Sequence, residues 1–229
     1  MVVLGIDDTD MPGTLGTNQI ARKIVQAATQ WRCRFIVRHQ LCTDPNIPCT
    51  SQNGSASIWL EPRGGDVKDL FALARSVLLE NYVTGSDPGL CLCAGTIPAP
   101  IVDFARRTQR EIVPQQLAHE LAATHGLQLE GLGGTNGGVI GALAAIGLAA
   151  TGDDGRIVQL GEQADDLRGT VAVKALAAIN VLVLDQQTGR TIDSGTVDLV
   201  KKLRPNMRMG RAVLYVTPNN NDWRAVKLP

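Results

Sequence analysis

A chain of 229 residues, 44% hydrophobic and 19% charged, is long enough for one large domain or two modest ones and can bury a real core. Lys plus Arg and Asp plus Glu both number 22, so the net charge is zero and a broad electrostatic grip on nucleic acid is not indicated; a nucleic-acid role needs a local patch. No window approaches the ~20 apolar residues of a membrane span. The opening MVVLGIDD has no basic leader, and five cysteines are an odd number, which fits a reduced cytoplasmic protein better than a disulfide framework.

In chain order, residues 2–6 read as a short buried strand. Ile20, Ile24, Val25, Ala28 and Trp31 follow helical spacing, which predicts a helix over 18–31 capped by Thr17 or Asn18. Strands are expected at 33–42 and 55–61, joined by the Pro-punctuated loop DPNIPCTSQNG. A helix at 66–82, a turn at SDPG (86–89), a strand at 90–94 and helices at 99–109 and 114–125 follow. Residues 129–155 are a glycine-rich loop running into a small-residue helix from about Val139. Beyond about 170 the strands VAVKA, INVLVLD and RAVLYVTP are expected, interrupted by one helix at 196–203. The alternation predicts a mixed α+β fold, with a soft boundary at Asp153–Arg156 separating domains 1–155 and 156–229 or dividing them discontinuously.

Two stretches carry chemistry. In GIDDTDMPGTLGTN (5–18), Asp7, Asp8 and Asp10 crowd the end of the first strand. If the extended chain continues, Asp8 and Asp10 share a face and Asp7 lies opposite. Carboxylates about 6 Å apart repel by roughly 3 kcal/mol at an effective dielectric of 20, so something compensates. A Mg²⁺ ion bridging to phosphates would do so, as would plain solvation of an acidic turn. In the second stretch, Gly131, Gly133, Gly134, Gly137, Gly138 and Gly141 precede or open a helix whose free N–H groups would face the loop. The Gly137–Gly138 backbone is therefore a candidate phosphate cradle, although no Gly-Lys-Ser/Thr of a Walker loop follows; tight helix packing explains the same glycines. Asn53 and Ser55 could line a pocket or simply form a turn. His39 reads as a satisfied structural residue, and Asp153-Asp154 and Asp165-Asp166 as solvated turns. Cys91-x-Cys93 reads as buried small hydrophobes. Arg204, Arg208 and Arg211, with Lys201 and Lys202, make the most basic stretch, an exposed face that could touch RNA phosphate.

Four stretches together resemble the tRNA-isoleucine 2-agmatinylcytidine synthetase (TiaS) family: GIDDTD with Thr17 seven residues after Asp10, DPNIPCTSQNGSASI (44–58), GGVIGALAAIG (137–147) and GRAVLYVTPNNNDW (210–223). The resemblance implies a kinase-like module followed by a ferredoxin-like domain, a ligase that uses ATP, Mg²⁺ and agmatine in tRNA modification. It implies that Asp7, Asp8 and Asp10 act with Mg²⁺ and the nucleotide phosphates and that Thr17 is a phosphoacceptor. Thr9, Gly16, Asn53, Ser55, Gly137 and Gly138 then join the nucleotide or ligand site. The family's OB-fold and zinc ribbon, which engage tRNA, have no counterpart here; there is no C-x-x-C. The family's basic residues are replaced by Thr50 and Gln52 in the Pro-rich loop and by Thr135, Asn136 and Gly137 in the glycine-rich loop. Phosphoryl transfer depends on cations that stabilise the transferring group. Three readings follow: an ATP-dependent enzyme acting on a small amine or an RNA brought by a partner, a nucleotide- or amine-binding module that has lost the chemistry, or a nucleic-acid-binding protein using the Arg204–Arg211 face, against which the zero net charge argues.

Overall fold

A computed structural model describes residues 1–47, 52–161, 167–220 and 222–228. Cys49, Thr50, Asp165 and Asp166 lie outside the described residues. The elements in order are β1 (Val2–Asp7), α1 (Thr17–Ala27), β2 (Trp31–Gln40), β3 (Gly54–Pro62), α2 (Val67–Glu80), β4 (Gly89–Ala94), α3 (Ala99–Thr108), α4 (Gln115–His125), β5 (Gln128–Gly131), α5 (Val139–Thr151), β6 (Arg156–Leu160), β7 (Arg168–Ala172), α6 (Val173–Ala178), β8 (Val181–Asp185), β9 (Thr196–Lys202), β10 (Asn206–Arg208), β11 (Arg211–Asn219) and β12 (Asp222–Ala225). The fold is mixed α and β, as expected. Its strands run β5-β4-β1-β3-β2-β6-β10-β11-β12-β9-β7 in one sheet, with β8 parallel to β11.

Period-two alternation on the central strands sorts their side chains onto two faces. Val2, Leu4 and Ile6 of β1 join Ile36, Ile58 and Leu60 against Ile20 and Ile24 of α1 and Leu70 and Ala74 of α2. Val3 of β1 joins Val37, Trp59, Cys91 and Cys93 on the other face, against α5 and α3. Both cysteines are buried free thiols, and burial raises the pKa of each. α5 is apolar all round and buried along Val139–Ala149, as a helix between two layers must be. Its glycines permit that position: a Cβ on Gly147 would overlap the Ile101 carbonyl of α3.

Three expectations give way. α1 is shorter than its periodicity implies; Trp31 opens β2, and the cap is Gly16, whose N–H donates to Gln19 Oε1 at 2.9 Å. The predicted helix 196–203 is the strand β9, paired with β12 and β7. The predicted strand VAVKA splits, Val171-Ala172 ending β7 and Val173 opening α6. The polar break before Arg156 does not interrupt the sheet: β6 pairs with β2 from Phe35–Leu160 to Arg38–Arg156, and a single register pair, Asn206–Arg156, ties it to β10. Among the described residues, no helix is long and apolar enough to cross a membrane.

Candidate functional site

β1 lies between β3 and β4, antiparallel to both, and its C-terminal end delivers the acidic cluster to the N-terminal end of α5. Asp7, the last residue of β1, points to the α5 face. A Cβ on Gly141 would collide with its carboxylate, so the missing side chain is what admits the acid. Burial pushes the Asp7 carboxyl up to about 7, against an N–H bond from Asp8 that favours the ionised form; Asp8 and Asp10 raise it further and Arg38 lowers it.

The extended chain stops there. Asp8 takes a left-handed φ of 49°, which a short polar residue tolerates, so the alternation expected for Asp7, Asp8 and Asp10 does not continue. Burial and the charges of Asp87 and Asp10 raise the Asp8 carboxyl to about 6, while the Asp87 N–H favours its ionised form. Asp10 turns to α1: Thr9 Oγ1 donates to Thr17 Oγ1 at 3.2 Å, and Thr17 Oγ1 donates to Asp10 Oδ1 at 3.1 Å. Thr9 is buried, and Thr17 is the first residue of α1. The three carboxylates thus face different neighbours. Among the described residues, no three His, Cys, Asp or Glu side chains form a ready-made metal-ligand group.

Ser55 lies beside this corner. The β1–β3 register pairs Ile6 with Ala56, and one step further sets Ser55 opposite Asp7. Its hydroxyl is fully buried and has no hydrogen-bond partner, which marks a polar position unused by the fold. Asn53 is spent locally: Nδ2 donates to the Cys42 carbonyl at 2.9 Å, closing the Pro-rich loop. Gln52 is exposed.

The glycine-rich loop reaches the corner through a residue the sequence did not single out. Asp87, inside the SDPG turn, accepts the Thr135 N–H at Oδ1 (2.7 Å), and Thr135 Oγ1 and the Gly137 N–H (3.4 Å) at Oδ2; its carbonyl takes the Gly138 N–H at 3.0 Å. The two amides expected to cradle a phosphate are therefore engaged by Asp87. Gly138 is the N-cap of α5, and a Cβ there would overlap that same carbonyl. Gly16 caps α1.

A second polar network sits further along the same face. His39 Nδ1 bonds Asp154 Oδ1 at 2.6 Å and its Nε2 bonds Ser57 Oγ at 2.8 Å, while Trp59 Nε1 donates to Ser57 at 3.1 Å. The order is that of a nucleophile–base–acid relay. Ser57 and His39 are, however, sealed from solvent, so the network braces β2 and β3 against the turn after α5. His39 is thus a satisfied structural residue, as expected. Asp154 is not the solvated turn residue expected: burial would raise its carboxyl, but bonds from His39 and Gln109 and the charge of Arg208 hold it below the usual carboxylate range. Of the basic stretch, Arg208 is turned onto the Asp153 and Met207 carbonyls and Arg204 onto that of Leu203, while Arg211 is exposed.

No family model matches the chain. Two curated proteins do: the tRNA-isoleucine 2-agmatinylcytidine synthetase TiaS of Cenarchaeum symbiosum (strain A), 27% identical over 171 residues, and that of Pyrococcus horikoshii, 28% identical over 148. TiaS is the family this chain resembles. The alignments take in 73% and 63% of this chain but 37% and 35% of those proteins, so the chain spans little more than a third of the length of the relatives it matches. The fold agrees as well. Apo TiaS and a complex of TiaS with its isoleucine tRNA and ATP each superpose with a TM-score of 0.57 at 24% identity over 64% of this chain, covering 35% and 36% of those chains. A complex of TiaS with the same tRNA, AMPCPP and agmatine gives 0.56.

Proposed function

We propose that this chain is a TiaS-type nucleotide-binding and phosphoryl-transfer module, with its site at the corner of β1, α1 and the α5 N-terminus. The similarity to tRNA-isoleucine 2-agmatinylcytidine synthetases, together with the likeness to TiaS structures that hold tRNA with ATP or with AMPCPP and agmatine, supports ATP as the nucleotide and a small amine as the second ligand. A tRNA would be the modified substrate, engaged with the help of modules beyond the third of the relatives that this chain spans. Residues 1–155 would form the kinase-like part and 156–229 the ferredoxin-like part, with β6 structurally joined to the first.

The observation that carries the reading is the Thr17–Asp10 pair. Asp10 accepts the Thr17 hydroxyl hydrogen, so it can orient that oxygen and take its proton. In the proposed step, Thr17 Oγ1 attacks the γ-phosphorus of ATP, the bond to the bridging oxygen breaks, ADP leaves and Asp10 receives the proton. Thr9 fixes the Thr17 rotamer through its own hydrogen bond. Gly16, Ser55, Gly137 and Gly138 would border the phosphates. A Mg²⁺ ion arriving with the nucleotide would need only one or two carboxylates beside the phosphate oxygens, a role open to Asp8 and Asp10.

One observation favours a second reading, a binding module without transfer chemistry. Asp87 puts a negative charge into the amide nest of the glycine-rich loop, where a phosphate would be held. Calorimetry with ATP, with and without Mg²⁺, on the wild type and on Asp8→Asn, followed by intact mass, separates the two. Transfer predicts Mg²⁺-dependent binding weakened at least tenfold in the variant and a gain of one phosphate lost in Thr17→Val. Binding without mass gain supports the module. No nucleoside triphosphate binding ends both.

A further inference from the structure

At the opposite end of β2 from the Gln40 loop lies a cavity of about 1020 Å³. Its walls come from the starts of β2 and β11, the end of β6, the α6–β8 turn, the β10–β11 turn and Arg63 after β3. Arg32, Arg34, Arg63 and Arg211 all line it, and among the described residues no acidic side chain does. In a chain of zero net charge this is a local concentration of one sign, built from three separate segments.

The arrangement has a structural cause. β2 and β3 pair Cys33 with Leu60 and then Phe35 with Trp59, so Arg34 is the extra residue of a β-bulge. A bulge re-aims the chain. Here Cys33 and Phe35, on either side of Arg34, are buried in the two different core clusters, while Arg32 and Arg34 are exposed. Arg34 pairs with Glu61 at 2.7 Å, and its guanidinium lies 5.6 Å from the Phe35 ring centre. From across the cavity, the β10–β11 turn, with Met209 and Gly210 at positive φ, brings in Arg211. Guanidinium groups repel one another, and their planar forks match phosphate oxygens two at a time.

We propose that this cavity is a binding site for a ligand carrying several phosphate groups. Its volume stands at the upper end of small-molecule sites, more than one phosphate fills. The site is separate from the acidic corner and does not rest on the phosphoryl-transfer reading. Its ligand is either a free polyphosphate or the phosphodiester backbone of a short RNA, and the two are distinguished by test.

The experiment is fluorescence anisotropy with a labelled single-stranded RNA 12-mer, and calorimetry with inorganic tripolyphosphate, on the wild type, Arg32→Ala/Arg211→Ala, Glu61→Gln and Asp8→Asn. Arg32 and Arg211 are exposed, and circular dichroism checks that each variant is folded. The expected result is at least tenfold weaker binding in the double variant, with the log–log salt slope for RNA falling by about 1.4. Glu61→Gln, which frees Arg34, is expected to tighten binding. Preference for RNA or for tripolyphosphate identifies the source. Binding of neither, or binding that survives the double variant with the same salt slope, overturns the proposal. Loss in Asp8→Asn alone would assign the ligand to the acidic corner and overturn it as well.

Discussion

Replacing Asp7 by asparagine is expected to stabilise the protein strongly at pH 8 and hardly at all at pH 4. The Asp7 carboxyl is held near 7 in the fold against 3.8 for a free aspartate, chiefly by burial. Below pH 4 folded and unfolded chains both hold the proton, and stability is undiminished. As the pH climbs toward 7 the unfolded chain releases it first. Above pH 7 the folded protein must carry a buried charge, at a cost on the order of 4 kcal/mol. Asparagine removes this titration while keeping the shape. Urea unfolding should therefore show a midpoint raised by roughly 1–2 M at pH 8, with the gain fading between pH 7 and pH 4. A gain equal at both pH values would mean that Asp7 is charged in the fold throughout. Residues placed at such cost are commonly kept for function; the same variant should therefore bind nucleotide more weakly although it is more stable.

The second large effect comes from Gly5, in the middle of β1. A Cβ there would overlap the Ala142 carbonyl oxygen, lie 3.0 Å from its carbon and 3.3 Å from the Ala145 Cβ. These are atoms of a buried helix, the nearest of them backbone, and they cannot swing aside. Gly5→Ala should thus force α5 off β1 and cost about 3 kcal/mol, lowering the melting temperature by roughly 6–12 °C in a chain of this size. Because α5 also carries Gly138 and Gly141 to Asp7, nucleotide binding should fall at temperatures where the variant is still folded. An unchanged melting temperature would show that α5 is not seated so closely.

The difference between what can and cannot be read in the sequence is physical. β1, α2 and α5 are legible because local pattern and tertiary environment agree: an apolar run, an amphipathic period, and a small-residue helix after glycines. β9 is not. Val197, Val200 and Leu203 sit three apart and mimic a helical face. In the structure Val197 and Leu199 are buried by strand alternation, and Val200 is turned outward at a φ of 63°. The acidic corner is legible as a cluster, since its members are close in the chain. Its geometry is not, because the left-handed turn at Asp8 is one that aspartate merely tolerates. Asp87 reads as a turn residue; nothing in SDPG says that its carboxylate reaches a loop almost fifty residues away. The His39–Asp154 bond and the arginine-lined cavity are likewise products of tertiary pairing, since Arg32, Arg63 and Arg211 share no local signal.

The carboxylate in the glycine-rich loop also bears on rates. With Asp87 bonded to the Thr135 and Gly137 amides, the nest is already folded around an anion, and nothing has to be ordered when a ligand comes. A phosphate can enter only by exchange, as the side chain leaves. Association at that subsite would then stop rising at high ligand concentration and level off at the frequency with which Asp87 swings out. The residue that keeps the loop in shape would also act as its timer.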